Sequence, residues 1–295
     1  MVTKNKGGQI ALNIIFIFLT VAALAPFLLL IASSLTSESS LMEYGYGFFP
    51  RQFSLDAYVY LFKSSTKILR GYGITIFVTV AGTAVSVLIT TLFAYPLSRK
   101  ELPFRYAFSF FVFFTMLFNG GLVPSYMMWT QTFHIRDTIF ALLLPNLLMN
   151  AFYVIMMRSF FMANIPDALV EAARIDGAGE YKILFKVVFP LSKPMLATLS
   201  LMIGLGYWND WMNSLYYISD EKLYSIQAIL NTIITNIQFL TSGQSTVSSG
   251  LDISKLPNVS VRMAIAVIGI VPILLIYPFF QKYFVKGIVV GGVKG

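Results

Sequence analysis

Residues 10–32 read IALNIIFIFLTVAALAPFLLLIA, an apolar run without one charged side chain. A bilayer core of about 30 Å is crossed by roughly 20 such residues in helical form. The run is longer than the roughly 7–15 apolar residues of a secretory signal, so it reads as an uncleaved transmembrane helix, with a signal peptide as the competing reading. Working outward, comparable charge-free stretches recur. They lie between Arg70 and Arg99, between Arg105 and Arg136, between Asp137 and Arg158, from Lys193 to Asp210 and a little beyond, and between Arg262 and Lys282. The expectation is an all-α integral membrane protein of one domain with about six spans, at 10–33, 72–97, 106–128, 138–158, 190–217 and 262–281. A cytoplasmic loop is expected at 164–184 and a cytoplasmic tail at 282–295.

Composition agrees with that reading. Of 295 residues, 57% are hydrophobic and only 12% charged, and the mean hydropathy is +0.75. A soluble domain carries roughly 25% charged residues to cover its surface. The chain has no cysteine, which excludes disulfides, thiol catalysis and Cys-ligated metals. The net charge of +8 follows topology. With six spans, 13 of the 21 lysines and arginines fall on the side that holds both termini, and 8 fall in the longer loops opposite. The positive-inside bias places both termini in the cytoplasm, and nucleic-acid binding is not needed to explain the charge. Pro26, Pro96, Pro145, Pro272 and Pro278 lie within spans, where each frees a backbone carbonyl. Packing irregularity and a functional hinge are equally good readings of them. No internal repeat marks two inverted halves.

One cytoplasmic loop is too long to be a plain connection. It includes IPDALVEAARIDGAGEYKILFKVVFPLSKP, residues 165–194. Pro166 suits a first-turn position and Asp167 complements the helix dipole. Leu169, Ala172 and Ala173 share a face at i, i+3, i+4 spacing, and Gly177 and Gly179 end the helix. A small, partly apolar face of this kind fits a shallow groove on another protein. The alternative is a helix lying on the bilayer, which calls for Trp, Phe or Leu where this one has alanines.

Glu171-Ala172-Ala173, three residues, Gly177, nine residues, Val187, one residue, Phe189 and Pro190 form a pattern. It resembles the EAA motif (EAA, x3, G, x9, I, x, L, P) of ABC importer permeases, with Val187 and Phe189 standing for the Ile and Leu. The resemblance extends over nearly the whole chain, through Trp208-Asn209-Asp210 to the tail FQKYFVKGIVVGGVKG. It is to the MalG-like second permease of carbohydrate importers, and within that family to the LplC/YtcP branch. It implies a type I importer bundle with a coupling helix seated in a cleft of a separate ATPase subunit. Glu171, Ala172, Ala173, Asp176 and Gly177 would be the coupling residues, with Glu171 pairing to a basic group and Gly177 making the turn. The partners it implies are a second homologous permease, two ATPase subunits carrying ATP and Mg, an extracytoplasmic solute-binding protein, membrane lipid and an oligosaccharide. No cofactor or metal on this chain is implied.

Other patterns carry less. Ser64 and Lys67 match S-x-x-K in an outer loop, and Asn258-Val259-Ser260 is a sequon without meaning in a bacterium. His134 is the only histidine and has no acid and nucleophile beside it, so no catalytic residue is expected. An ion-coupled secondary transporter is the alternative from another class, as is an importer permease for a solute other than sugar. Coupled carriers keep ionisable groups near the midplane. Here only the fifth span holds an acid, and Asp210 lies roughly 25 Å along the helix from Lys193, toward the outer side. Asn209, Asp210 and Asn213 sit among Trp208, Trp211, Tyr216 and Tyr217. They read either as an interfacial belt or as lining of a sugar path or gate, with Asn119, Tyr126 and Tyr153 as further candidates.

The run Gly177-Ala178-Gly179 with Lys182 lacks the spacing and the hydroxyl residue of a phosphate-cradling loop. The purified chain by itself is therefore expected to bind no nucleotide. Saturable ATP binding in an equilibrium assay on the isolated chain would contradict this.

Overall fold

The computed structural model describes residues 6–63, 65–145, 147–241 and 259–291, with backbone alone at 6–7, 65, 240–241 and 282–291. The last four residues of the expected tail, and Asn258 of the sequon, lie outside the described residues. In chain order the helices are α1 (Lys6–Ser34), α2 (Glu38–Tyr44), α3 (Asp56–Phe62), α4 (Ser65–Ser98) and α5 (Arg105–Leu117). Then come α6 (Leu122–Met127), α7 (Phe140–Leu143), α8 (Ala151–Asn164), α9 (Asp167–Ile175) and α10 (Glu180–Ile183). The last are α11 (Phe189–Leu191), α12 (Lys193–Trp208), α13 (Met212–Tyr217), α14 (Ile226–Thr241) and α15 (Val259–Gly291).

Three described segments are long and apolar enough to cross a bilayer alone: Gly8–Ser34, Thr66–Ser98 and Val259–Gln281. They contain the expected first, second and sixth spans, although α15 continues as helix through Gly291 where a tail was expected. The other three expected spans are not continuous helices. The third bends by 112° between Arg105–Leu117 and Leu122–Thr132, at a break where Gly121 takes φ +87°. Upstream of the fifth, Glu180–Leu191 meets Lys193–Trp208 at 82°. The helix then stops at Asn209, with Met212–Tyr217 as a separate turn. The fourth is two pieces, α7 and α8. Pro145 lacks the N–H that would continue the helix, and the Asn150 side chain starts α8 afresh by accepting from Phe152 N at 2.9 Å. Helix α14 was not expected at all. It lies where a longer loop was expected, and Ser225 Oγ accepts from Ala228 N at 3.2 Å to cap it.

The chain divides into two compact units, Met1–Ile68 with Leu230–Pro272, and Leu69–Ile229 with Ile273–Gly295. In the first, Glu38 accepts from Val259 N and Ser260 N at 2.9 Å and from Ser260 Oγ at 2.7 Å, so one carboxylate caps the start of α15. Ser34 Oγ and Tyr58 OH lie 2.8 Å apart and tie α1 to α3.

The second unit holds the larger core, with Val87, Ala94, Val154, Met157, Phe161, Ile183, Val188, Leu199 and Tyr207 buried together. The break in the fourth span dictates much of it. Backbone carbonyls left without helical partners are costly inside a bilayer unless other groups bond them. Tyr207 OH donates to Leu143 O at 2.9 Å, Asn213 Nδ2 to Pro145 O at 3.2 Å, and Ser86 Oγ to Leu147 O at 3.4 Å. Three helices thus repair one break. Tyr207 is 2% exposed and lies on Gly82, where an added Cβ would come within 2.4–2.7 Å of its ring. Thr75 Oγ1 accepts from Ile226 N at 2.8 Å and fixes the start of α14, which packs so close to Gly71 that a Cβ there would meet Ile229 Cδ1 at 2.5 Å. Beyond the break, Asp137 Oδ1 accepts from the backbone N–H of Ser219 and of Asp220. These bonds hold its carboxyl below the usual carboxylate range.

Tyr207→Phe should therefore lower stability by about 1 kcal/mol, the scale of one buried hydrogen bond in a membrane protein. Gly82→Ala should cost more, because it displaces the ring and breaks the same bond. Thermal unfolding of the purified variants in one detergent checks the order.

Candidate functional site

Helix α9 is nine residues long and ends on a motif that its sequence spells out. Gly177 takes φ +74°, a conformation that costs any residue with a Cβ. Gly177 N donates to Arg174 O and Ala178 N to Ala173 O, both at 2.9 Å, which is the bond pair of a Schellman cap. Ala173 and Ala178, the two apolar positions of that cap, both pack against the core. Val170 is buried on the same side. The outer face carries Leu169, Glu171, Ala172 and Ile175, and Ile175 is 87% exposed. The face expected to hold Leu169, Ala172 and Ala173 together is thus divided, with Ala173 turned inward. Pro166 precedes the helix as its N-cap, one position earlier than expected, and Gly179 caps α10. Asp176 is the exposed C-cap, its N–H donating to Ala172 O at 3.0 Å.

The charges of α9 are used unequally. Asp167, at its N-terminus, accepts from Lys100 Nζ at 2.8 Å and lies 3.9 Å from Arg99 Nη1. The Lys100 hydrogen bond and charge hold the Asp167 carboxyl below its usual range. Arg174, at the other end, reaches Glu180 at 2.8 Å and Glu101 at 3.4 Å. Each exposed pair is weak by itself, but two at opposite ends fix the helix against the loop 99–101. Glu171 makes no ion pair among the described residues and stands open between the two tied ends.

The proposed pathway residues are dispersed. Because α12 stops at Trp208, Asn209 and Asn213 do not share a helical face. Asn209 is exposed and its Nδ2 donates to its own helix, at Leu205 O, 2.9 Å. Asp210 Oδ1 accepts from Asn213 N at 3.3 Å and caps α13. Asn213 is 4% exposed, with its amide spent on Pro145 O. Asn119 Oδ1 accepts from Gly121 N at 2.8 Å within the break after α5. Tyr126 stacks on Tyr217 of α13, ring centroids 5.8 Å apart, and Tyr153 packs edge-on to Phe152.

Residues 87–290 match the family described as binding-protein-dependent transport system inner membrane component. The chain belongs to that family. Among relatives of this inner membrane component is a permease protein of Bacillus subtilis, YtcP, named for polygalacturonan/rhamnogalacturonan transport. It is 40% identical over 292 residues, covering 99% of this chain and 100% of the relative. Protein LplC of Bacillus subtilis is 36% identical over 295 residues, with 99% and 97% coverage. Among solved structures, a bacterial ABC transporter involved in the import of the acidic polysaccharide alginate superposes on 96% of this chain and 99% of its own. The TM-score is 0.77 and the identity 29%. The chain is therefore an ABC importer permease with the type I fold, and the ion-coupled carrier set out as an alternative is not the family found.

Sequence reasoning missed four contributors to the permease's α9 site: Arg99, Lys100, Glu101 and Glu180. The dipeptide Arg99-Lys100 at a span end reads first as a topology signal. Its complement to Asp167 emerges only when the loops are brought together. For the segment Asn209–Asn213, single cysteines in this cysteine-free chain give the check. A water-soluble maleimide should label a cysteine at 209 and leave one at 213 unlabelled, and equal labelling would place Asn213 in water.

Proposed function

We propose that this permease forms half of the translocation path of an oligosaccharide importer, driven through α9 by a separate ATPase subunit. The observation that carries the coupling reading is the division of α9. Its ends are tied by ion pairs and its inner face is packed. Leu169, Ala172 and Ile175 remain exposed around an unpaired Glu171. A small apolar face with one free carboxylate suits a cleft with a basic group on the ATPase partner. Asp176 and Gly177 close the helix behind it. A second similar permease completes the path, two ATPase subunits hold ATP and Mg, and an extracytoplasmic binding protein delivers the solute. Closure of the ATPase pair on ATP would carry α9 with it and turn the bundle from inward-facing to outward-facing.

The oligosaccharide reading is supported by the relatives' names, which cite polygalacturonan or rhamnogalacturonan, arabinooligosaccharides and alginate. Both termini are placed in the cytoplasm by the positive-inside bias. That puts α9 with Arg99, Lys100 and Arg174 on the same side as the ATPase. In the outer segment Asn209, with its exposed amide, is the residue offered for solute contact. Asp210, Asn213 and Asn119 shape the turns around it, and Tyr126 and Tyr153 back them.

Glu171→Lys should abolish uptake and leave basal ATP hydrolysis uncoupled, with the permease inserted at normal abundance. Like charges would then face each other across the interface. Uptake of labelled oligogalacturonides and arabino-oligosaccharides into proteoliposomes holding the assembled complex tests both coupling and cargo. Near-parental uptake by Glu171→Lys would sink the coupling assignment, and transport of neither sugar would sink the cargo assignment.

A further inference from the structure

The α9 loop reaches the membrane helices by two routes. One is covalent: α10, a π turn at Leu184–Val188 and α11 join α12 across the 82° bend. The other crosses space to α4. Tyr95, one turn before the end of α4 and 5% exposed, donates its hydroxyl to Glu180 Oε2 at 2.8 Å. The other Glu180 oxygen accepts from Arg174 Nε at 2.9 Å, and so binds the last turn of α9 to the first turn of α10. The Tyr95 ring is held on two sides. Arg99 lies over it at 4.7 Å, and Phe161 of α8 meets it edge-on at 6.3 Å. Its hydroxyl therefore has little freedom to follow Glu180 unless α4 moves too.

A cavity of about 560 Å³ opens between the end of α4 and α10, with Tyr95, Pro96, Arg174 and Glu180 among its walls. Ala94 of α4 and Ile183 of α10 belong to one buried core, and beside the cavity the hydroxyl–carboxylate bond adds a directional link between the two elements. Pro96, next in the chain, removes one helical N–H, so the last turn of α4 yields more easily than the helix above it. The other polar ties, Lys100 to Asp167 and Glu101 to Arg174, lie at the exposed surface and are screened by salt.

We propose that the Tyr95 hydroxyl and the Glu180 carboxylate form the joint through which the α9 loop drives α4. Tyr95 is then a positioning residue of the transport cycle, acting through Glu180 and touching neither solute nor nucleotide. This rests on the α9 coupling reading above. A joint of this kind makes the loop and the end of α4 move as one body, while the covalent route moves α12.

The test uses the full complex with its ATPase subunits in lipid nanodiscs. Spin labels on cysteines at the exposed positions Phe93 and Lys182 report the distance from α4 to the loop. In the parent that distance should be the same without nucleotide and with a non-hydrolysable ATP analogue. Tyr95→Phe keeps the ring between Arg99 and Phe161 and removes only the hydroxyl. It should lower the melting midpoint on the scale of one lost hydrogen bond without unfolding the chain, retain ATP hydrolysis, and make the distance shift on nucleotide. Glu180→Ala, which also loses the Arg174 pair, should shift the distance on nucleotide at least as far, and the double variant should be no worse than Glu180→Ala alone. A nucleotide-dependent distance in the parent, no shift in Tyr95→Phe, or additive effects in the double variant would each overturn the joint. Glu171→Lys runs alongside. If it hydrolyses ATP and transports as the parent does, the α9 reading itself has failed. If it uncouples while Tyr95→Phe changes nothing, only the joint has failed.

Discussion

A carbonyl in lipid needs a donor, and a broken span leaves several without one. The interruption between α7 and α8 exposes the carbonyls of Leu143, Pro145 and Leu147, and side chains from α12, α13 and α4 close them. Much of the second unit follows from those three bonds. Tyr207 can reach Leu143 only because Gly82 has no side chain in its way. Asn213 can reach Pro145 only because α12 stops at Asn209 and α13 starts afresh on the Asp210 cap. Asn213, which looks like part of a polar path when the segment is read as one helix, instead serves an interrupted backbone.

Helix α9 is built differently on its two faces. Val170, Ala173 and the Schellman cap settle the inner face, and ion pairs at both ends prevent rotation. The outer face keeps Leu169, Ala172, Ile175 and a free Glu171. The charges at the ends also match the helix dipole, acid first and base last, so the ion pairs and the helix favour the same geometry.

The family match places this arrangement in context. The chain covers nearly all of its relatives' length, and its fold superposes on an importer structure with a TM-score of 0.77.

The sequence by itself determined that the chain lives in a membrane, that its first, second and sixth spans are helices, and that a short helix with Pro166 and Asp167 near its start ends at the glycines Gly177 and Gly179. These rest on local causes: uncharged length, a dipole-matched acid, and a glycine where φ must be positive. It also supplied the family through the spacing from Glu171 to Pro190. It did not show the bends and breaks in the remaining spans, because a charge-free stretch has the same composition whether it runs straight or breaks, and Pro145 alone did not say which. It missed α14, which lies where a longer loop was expected and whose start is fixed by Thr75 of α4. Only the tertiary structure decided that Asn213 serves a carbonyl, that Ala173 faces inward, and that Lys100, Glu101, Glu180 and Tyr95 meet α9. Those assignments depend on partners distant in the chain, such as the 85 positions between Tyr95 and Glu180, and no local pattern records which distant group will be there.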